Sequence, residues 1–395
     1  MYWLNELLSL LNVSPASRLW IERSASLFAI LLPIPVIFAF MKWKRPRQTI
    51  LPPYRERVLI LGASSGVGRE LALAYANRGC RQLVIVGRRE KELQIVAVEC
   101  DEERKKGEEW DMSDEAPGYE NVKSKKTVAI TADCSNAEDI VRIREECRKA
   151  FEGIDTVHIC FGVSALRPLL GIPGVDPIRP MKRADLLPNL PQSSKTNAAE
   201  ADVAGILVTQ EATRRINEVN ITGTSMVLSA FLPFLQMTSP SPSIHLLSSA
   251  AAVIPAPTRP LYGASKAAQL ILFQATAIEA AAQAKHSRKE GSLQKRAHVR
   301  FYASVPGTIL SNFRASAVDG SPDEISAFDS SWNVKGGGKS DAILPKHLAQ
   351  HVILAVDQYK EGTDEIPFKY WAARRAFPFA PGLLARMASK KYAYN

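Results

Sequence analysis

Tyr262 and Lys266 stand at positions i and i+4 in the run Tyr262-Gly-Ala-Ser-Lys266. On a helix these positions share a face, so an ammonium can stand beside a phenol. A phenol with a pKa near ~10 is a poor base at neutral pH. A neighbouring cation favours the phenolate and lowers that value. Such a pair can give and take a proton at a carbonyl or alcohol oxygen. The spacing alone arises easily by chance, so its setting matters. Upstream, Ser249 closes the apolar run Ser-Ile-His-Leu-Leu-Ser-Ser, where its hydroxyl can polarise the same oxygen.

A second group of residues can hold a diphosphate. Gly62-Ala-Ser64-Ser65-Gly66-Val67-Gly68 follows a strand-like run and opens a helical one. A diphosphate needs close backbone approach, free N–H groups and the positive end of a helix. Glycine permits that approach because it lacks a side chain and tolerates positive φ. The spacing is G-x-x-x-G-x-G, distinct from the G-x-G-x-x-G of other dinucleotide folds. The next strand ends in Arg88-Arg89, where an acidic residue would bind a ribose 2′-hydroxyl and arginine accommodates a 2′-phosphate. Asp133 and Cys134 close a third strand-like run. The Asp133 carboxylate either accepts a bond from an adenine amino group or caps the following helix.

Together these residues resemble the short-chain dehydrogenase/reductase superfamily, over about residues 55–315 and more loosely to residue 380. The resemblance implies NADP(H) as cofactor, with Gly62, Ser64, Ser65, Gly66, Val67 and Gly68 around its diphosphate. Arg88, Arg89, Asp133 and Cys134 would face its adenosine end. Gly162, Pro306, Gly307, Thr308 and Ser311, with Tyr262 and Lys266, would face its nicotinamide end. It also implies a catalytic set of Asn220, Ser249, Tyr262 and Lys266, with Asn220 in Asn-Glu-Val-Asn-Ile-Thr-Gly supporting a water for proton relay. The chain departs from the family pattern at Leu61, at Ile159-Cys160-Phe161-Gly162 and at Ser311. Those departures touch cofactor contacts more than the catalytic four. Within the superfamily the layout looks like the 11-beta-hydroxysteroid-dehydrogenase-like group, whose members act on steroids, retinoids and other lipophilic carbonyls. The 3-ketodihydrosphingosine reductases are the second candidate. A non-catalytic dinucleotide-binding sensor or scaffold is the reading of a different class.

The elements that must position these residues alternate along the chain. RVLILGA, QLVIVG, TVAITA, TVHICFG, SIHLLSS and VRFYASVPG read as apolar strands with helical sequence between them. Alternation of this kind predicts an α/β fold: a Rossmann-type, doubly wound parallel sheet covered on both faces. The domain is expected over residues 55–365, with a charged, solvated insertion near 99–126. A proline-rich excursion over 165–200 reads as a lid or substrate-facing element. Related enzymes often dimerise through two long helices, so the resemblance allows a homodimer.

Residues 1–54 read as an anchor and basic linker. ASLFAILLPIPVIFAFM, residues 25–41, carries no charge and is just long enough to span a bilayer core of ~17–20 helical residues. It reads as a signal-anchor helix, with a Pro-x-Pro hairpin in one leaflet, a cleaved signal and a soluble core helix as alternatives. Lys42, Lys44, Arg45 and Arg47 follow it. The positive-inside bias places the domain in the cytosol, on a membrane such as the endoplasmic reticulum. Asn220-Ile-Thr222 is also a glycosylation sequon, which a cytosolic domain leaves unused. Residues 366–395 hold basic and aromatic residues without Asp or Glu, which suits a membrane interface or packing on the core equally.

The net charge of +10 is gathered near the two ends. That argues against a nucleic-acid partner, which needs basic residues on a recognition element, and fits an anionic membrane surface or plain solubility charge. The five cysteines show no metal-ligand spacing, so no metal site is expected, and they read as reduced thiols, mostly buried.

Overall fold

The computed structural model describes residues 47–111, 127–190, 198–288, 295–320, 342–392 and 394. The membrane segment expected at 25–41 lies outside the described residues, as do residues 112–126 and 191–197 of the two expected insertions.

Strands form where apolar runs can be buried on both faces. They are β1 (Arg57–Leu61), β2 (Gln82–Gly87), β3 (Val128–Thr131), β4 (Thr156–Ile159), β5 (Ser243–Leu247), β6 (Arg300–Pro306) and β7 (Gly362–Ile366). They make one seven-stranded sheet in the order β3-β2-β1-β4-β5-β6-β7, every neighbour parallel. The chain winds outward one way from β1 to β3 and the other way from β4 to β7. The reversal leaves a crevice between β1 and β4 at the strands' carboxyl ends, where ligands bind in such sheets. This is the doubly wound Rossmann-type sheet expected from the alternation.

Helices cover both faces. One face carries α1 (Gly66–Asn77), α2 (Glu90–Asp111) and α7 (Pro345–Asp357), packed through Leu71, Tyr75, Leu93, Leu348 and Val352. The other carries α3 (Ala137–Phe151), α5 (Thr224–Thr238) and α6 (Pro260–His286), packed through Ile143, Phe231, Phe234 and Phe273. A further helix, α4 (Val203–Asn217), runs through a π-helical turn, Glu218–Gly223, into α5. The whole Val203–Thr238 stretch is long and apolar enough to cross a membrane, yet half of its most apolar window is buried within the fold. Its apolarity is accounted for by Val227, Phe231, Phe234 and Leu235, which lie in the sheet core.

Three expectations change here. β7 was not read from the sequence, because Gly-Thr-Asp-Glu-Ile has no apolar run. It lies at the sheet edge, where Asp364 accepts from Tyr302 Oη at 3.0 Å and from His351 at 2.7 Å, and Glu365 pairs with Arg374. The charged stretch near 99–126 does not begin as a solvated insertion. Its first part continues α2, and Arg104 is buried, donating to the Cys80 carbonyl at 2.8 Å and to Thr127 at 3.0 Å. Arg47 does not belong to a membrane-facing basic cluster. It is 1% exposed and ion-paired with Glu56 at the amino edge of the sheet.

Two short helices follow β7: α8 (Phe368–Ala376) and α9 (Pro381–Tyr392). Some of the tail's aromatics are exposed and others contact the fold. Phe368 and Phe379 are exposed, at 70% and 89%. Tyr394 donates to Asp176 at 2.9 Å, and Arg179 donates to the Tyr392 carbonyl, tying the tail to the irregular stretch after β4. That stretch has no helix or strand longer than a 3-10 turn among its described residues. It buries Ile172, Ala184 and Leu186 against Val208 and Ala212 of α4.

Candidate active site

The glycine turn follows β1 because its backbone can do what side-chain-bearing residues cannot. Gly62 and Gly66 have φ of 89° and 60°. A Cβ on Gly62 would lie 2.6 Å from Phe161 N, and one on Gly68 would lie 2.2 Å from the Gly62 carbonyl oxygen. Those two glycines let β1, α1 and the end of β4 close on one another. Gly66 differs: a Cβ there would meet only Ser311 Cβ, at 4.0 Å. It therefore faces open space between the turn and the loop after β6, at the N-terminus of α1, where N–H groups and the helix dipole favour a phosphate. Val67 behind it is buried.

Arg89 reaches back from the end of β2 to the same turn, donating to Ser64 Oγ at 3.1 Å and Ser65 Oγ at 2.7 Å. Arg88 stands 3.8 Å from Asp133, with both side chains well exposed. Asp133 is not the cap of the next helix. Asn136 caps α3 by accepting from the Asp139 N–H, while Asp133 holds Ser135 N and Oγ, at 2.9 Å and 2.6 Å. Of the two sequence readings, capping of α3 is thus excluded. Cys134 beside it is buried, and desolvation pushes its thiol up to about 12.

Ser249, Tyr262, Lys266 and Asn220 come together at the carboxyl ends of β4, β5 and β6. Ser249 follows β5 and caps a 3-10 turn, Ala250–Ala252, by accepting from Ala251 N at 3.2 Å. The Ser249 hydroxyl lies close enough to the Tyr262 phenol to favour its ionised form. Tyr262 is 6% exposed, in the first turn of α6, packed with Val163, Ala165 and Ile216. Burial raises its pKa; the Ser249 hydroxyl and the Arg259 guanidinium act against that rise.

Lys266 follows Tyr262 by one turn of α6. Its ammonium donates to Gln269 Oε1 at 2.9 Å and the Leu247 carbonyl at 3.3 Å. Burial brings its pKa down to about 8. It shares the helix face with Tyr262, but the charge acting on the phenol is that of Arg259. Gly162 explains the crowding here. A Cβ on it would lie 3.1 Å from Asn220 Oδ1 and 3.3 Å from Lys266 Nζ.

Asn220 lies in the π-helical turn, a distortion that commonly marks functional positions. Its Oδ1 accepts from Val163 N at 2.9 Å, and its Nδ2 donates to the Val163 carbonyl and Ser265 Oγ, both at 3.0 Å. Both amide hydrogens are engaged, so the carboxamide clamps the end of β4 to α6. Sequence reading missed three partners: Ser265, Gln269 and Thr224. Gln269 donates to Thr224 Oγ1 at 2.7 Å, and Thr224 donates to the Asn220 carbonyl at 2.9 Å. The i, i+3, i+4, i+7 spacing of Tyr262, Ser265, Lys266 and Gln269 is the signal that could have found two of them.

Beyond β6, Pro306 ends the strand and Gly307 donates to the Ile366 carbonyl at 2.8 Å. Tyr370 of α8 packs so closely on Gly307 that a Cβ there would fall 2.2 Å from its ring. The Thr308 carbonyl accepts from Ile343 N at 2.9 Å, and Ser311 leads into a 3-10 turn carrying Phe313, whose ring centroid is 5.8 Å from that of Tyr262. Among the described residues no cluster of His, Cys, Asp or Glu is placed to hold a metal ion.

This arrangement has relatives. The short chain dehydrogenase family profile matches residues 196–318, which contain the π-turn, Ser249 and the whole of α6. The chain is 27% identical over 222 residues to 11-beta-hydroxysteroid dehydrogenase-like 2 of Arabidopsis thaliana, covering 56% of this chain and 54% of that one. It is 28% identical over 222 residues to 11-beta-hydroxysteroid dehydrogenase A of Sesamum indicum, covering 56% and 47%. The chain thus spans about half the length of the curated relatives it matches. Among solved structures, a short chain dehydrogenase/reductase from Burkholderia phymatum in complex with NAD shares the fold. Its TM-score is 0.56 at 15% identity, over 83% of this chain and 94% of that one. An alcohol dehydrogenase from Thermococcus sibiricus complexed with 5-hydroxy-NADP does so at 0.50 and 18%, over 79% and 95%. The sheet order, the glycine turn and the grouping of Ser249, Tyr262 and Lys266 agree with these matches, and the chain is similar to the short-chain dehydrogenase/reductase superfamily.

Proposed function

We propose that this chain is an NADPH-dependent oxidoreductase that interconverts a lipophilic carbonyl compound and its alcohol, of steroid, retinoid or sphingoid kind. The observation that carries the proposal is the grouping of Ser249 after β5 with the buried Tyr262 and Lys266 at the start of α6, by the carboxyl ends of the strands. The residues around that crevice fit a nicotinamide dinucleotide. Gly66 presents open backbone at a helix N-terminus, and Arg88 and Arg89 offer guanidinium groups for a 2′-phosphate. Lys266 would hold the nicotinamide ribose, and Pro306, Gly307, Thr308 and Ser311 would wall the ring. When bound, NADPH supplies the hydride.

Ser249 donates to the substrate oxygen and orients it toward Tyr262. Negative charge grows on that oxygen in the transition state, and two hydroxyl donors in a site shielded from water stabilise it there. Tyr262 then releases its proton to the oxygen. The Ser249 hydroxyl and the Arg259 guanidinium stabilise the phenolate left behind, the same groups that oppose the effect of burial on its pKa. Asn220 holds Gly162 and Val163 against Lys266, and so sets the distance between α6 and the end of β4.

Purified protein incubated with NADPH and a panel of lipophilic ketones and aldehydes should oxidise NADPH. Tyr262→Phe should lower turnover about 10²–10⁴-fold with binding of NADPH kept. Unchanged turnover in that variant would defeat the mechanism, and cofactor binding without turnover on any substrate would favour a sensor or scaffold. The uncharged run at 25–41 and the exposed Phe368 and Phe379 among basic residues support a membrane-bound protein. Recovery in the supernatant after carbonate extraction would count against it. A homodimer is supported by an uncharged exposed stripe on α6, where Ile271 and Ile278 are 65% and 74% exposed amid Ala264, Ala268 and Ala275. Sedimentation of Ile278→Glu as the same species as the parent would remove that support.

A further inference from the structure

Arg259 immediately precedes α6, one helical turn from Tyr262. Its guanidinium lies over the Tyr262 ring, 5.6 Å from the centroid. Among the described residues it makes no side-chain hydrogen bond and no ion pair. Arg47, Arg57, Arg78 and Arg104, by contrast, each hold a carboxylate. The Tyr262 ring beneath it is packed by apolar groups: Leu261, Phe313 and Val318 lie with it around Val163 and Ala165. Burial works against the Arg259 charge; the Tyr392 phenol supports it, and nearby Arg314 repels it. The carboxylate acting on it, Asp319, is engaged elsewhere, accepting from Leu166 N at 2.9 Å and Arg167 N at 2.8 Å.

A guanidinium carries five N–H donors and stays charged in proteins. Largely buried and without an acceptor, it is costly. The ligand chemistry that compensates is an oxyanion gripped by a pair of parallel hydrogen bonds. The nitrogens of Arg259 are not among the enclosed atoms that lack partners, so they are open to such a ligand. We propose that Arg259 binds an anionic group of the substrate, so that the compound reacting at Tyr262 is a lipophilic acid with its carboxylate or phosphate a few bonds from the carbonyl. This refines the oxidoreductase reading and rests on it for the position of the carbonyl. It narrows the substrate class from neutral lipids to acidic ones.

Calorimetry on the NADPH-loaded full chain tests it with 4-oxopalmitic acid, the methyl ester of that acid, and inorganic phosphate. The acid should bind on the order of ten- to a hundred-fold tighter than the ester. Arg259→Gln should collapse that ratio toward one, and Arg259→Lys, which keeps the charge and loses the fork, should fall between. If Arg259→Gln does not fold, the ratio in Arg259→Lys decides. An equal affinity of the parent protein for acid and ester would overturn the proposal, and so would an undiminished ratio in the variants. Arg259-dependent binding of phosphate with no advantage for the acid would make this a site for a free anion and overturn the substrate assignment. NADPH oxidation with the same compounds is read separately. Its absence with these compounds and with the whole panel of ketones and aldehydes defeats the oxidoreductase reading, while the binding ratio still decides the role of Arg259.

Discussion

The two ends of the sheet treat charge in opposite ways. At the amino edge, Glu56 is 1% exposed and ion-paired with both Arg47 and Arg78, Arg78 also pairs with Asp357, and Arg57 pairs with Asp155 at 2.8 Å. Thr156 Oγ1 and the Ser241 carbonyl complete the hydrogen bonding of that cluster. Burial disfavours ionised Glu56, yet its two arginines outweigh that cost and hold its pKa below the ordinary value. At the carboxyl edge, Lys266 is 3% exposed and its partners are a carboxamide and a carbonyl. Arg259 has an aromatic ring. One edge matches buried cations with anions and gains a rigid base. The other leaves its cations facing neutral groups, at a cost in stability, and keeps their fields for a ligand. Stability given up at functional positions is a common trade.

Three experiments would break or sharpen that contrast. Glu56→Gln should have the largest effect, about 3–5 kcal/mol of lost stability by denaturant titration, because it strands two buried guanidiniums. Glu56 is depressed in the folded state, so its contribution is complete above the ordinary value of 4.5 and fades as pH falls through the folded value. The variant should lose that acid dependence; a loss below about 1 kcal/mol would mean the amino edge is not the rigid base described.

Lys266→Met should go the other way, raising stability at pH 7 by up to about 3 kcal/mol while abolishing turnover. The folded pKa of about 8 is below the ordinary 10.5, so the folded state holds the proton less tightly than the unfolded one. The parent protein should therefore gain stability as pH rises from about 8 to 10.5, and the difference from the variant should shrink across that window. A destabilised variant at pH 7 would place Lys266 among the structural cations instead.

The smallest effect is expected at Arg89, which is well exposed beside the glycine turn. Arg89→Ala should lower the preference for NADPH over NADH by roughly tenfold in kcat/KM, a loss of one charge-assisted contact to a phosphate. An unchanged preference would remove Arg89 from the cofactor site.

Much of this was legible along the chain. Apolar runs separated by amphipathic stretches define a parallel α/β sheet because strands buried on both faces cannot tolerate charge. The one strand that escaped, β7, is polar because it sits at an edge. The glycine turn and the Tyr262/Lys266 spacing were legible because local backbone geometry and helix periodicity fix which atoms can approach one another. The Tyr75–His158–His245–Ser304 chain, in contrast, has no mark in the sequence. His158 and His245 meet at 3.1 Å only because β4 and β5 pair in that register, and their burial keeps both imidazoles neutral.

The amino acids alone determined the sheet type, the phosphate-binding turn and the residue types available for proton transfer. These depend on periodicity and on contacts within a few residues. Tertiary structure decided which charges meet. It paired Arg57 with Asp155, set Arg78 between Glu56 and Asp357, and brought the Ser241 carbonyl onto Arg47. Electrostatic environment depends on burial and on neighbours distant in the chain, and neither is encoded in local spacing.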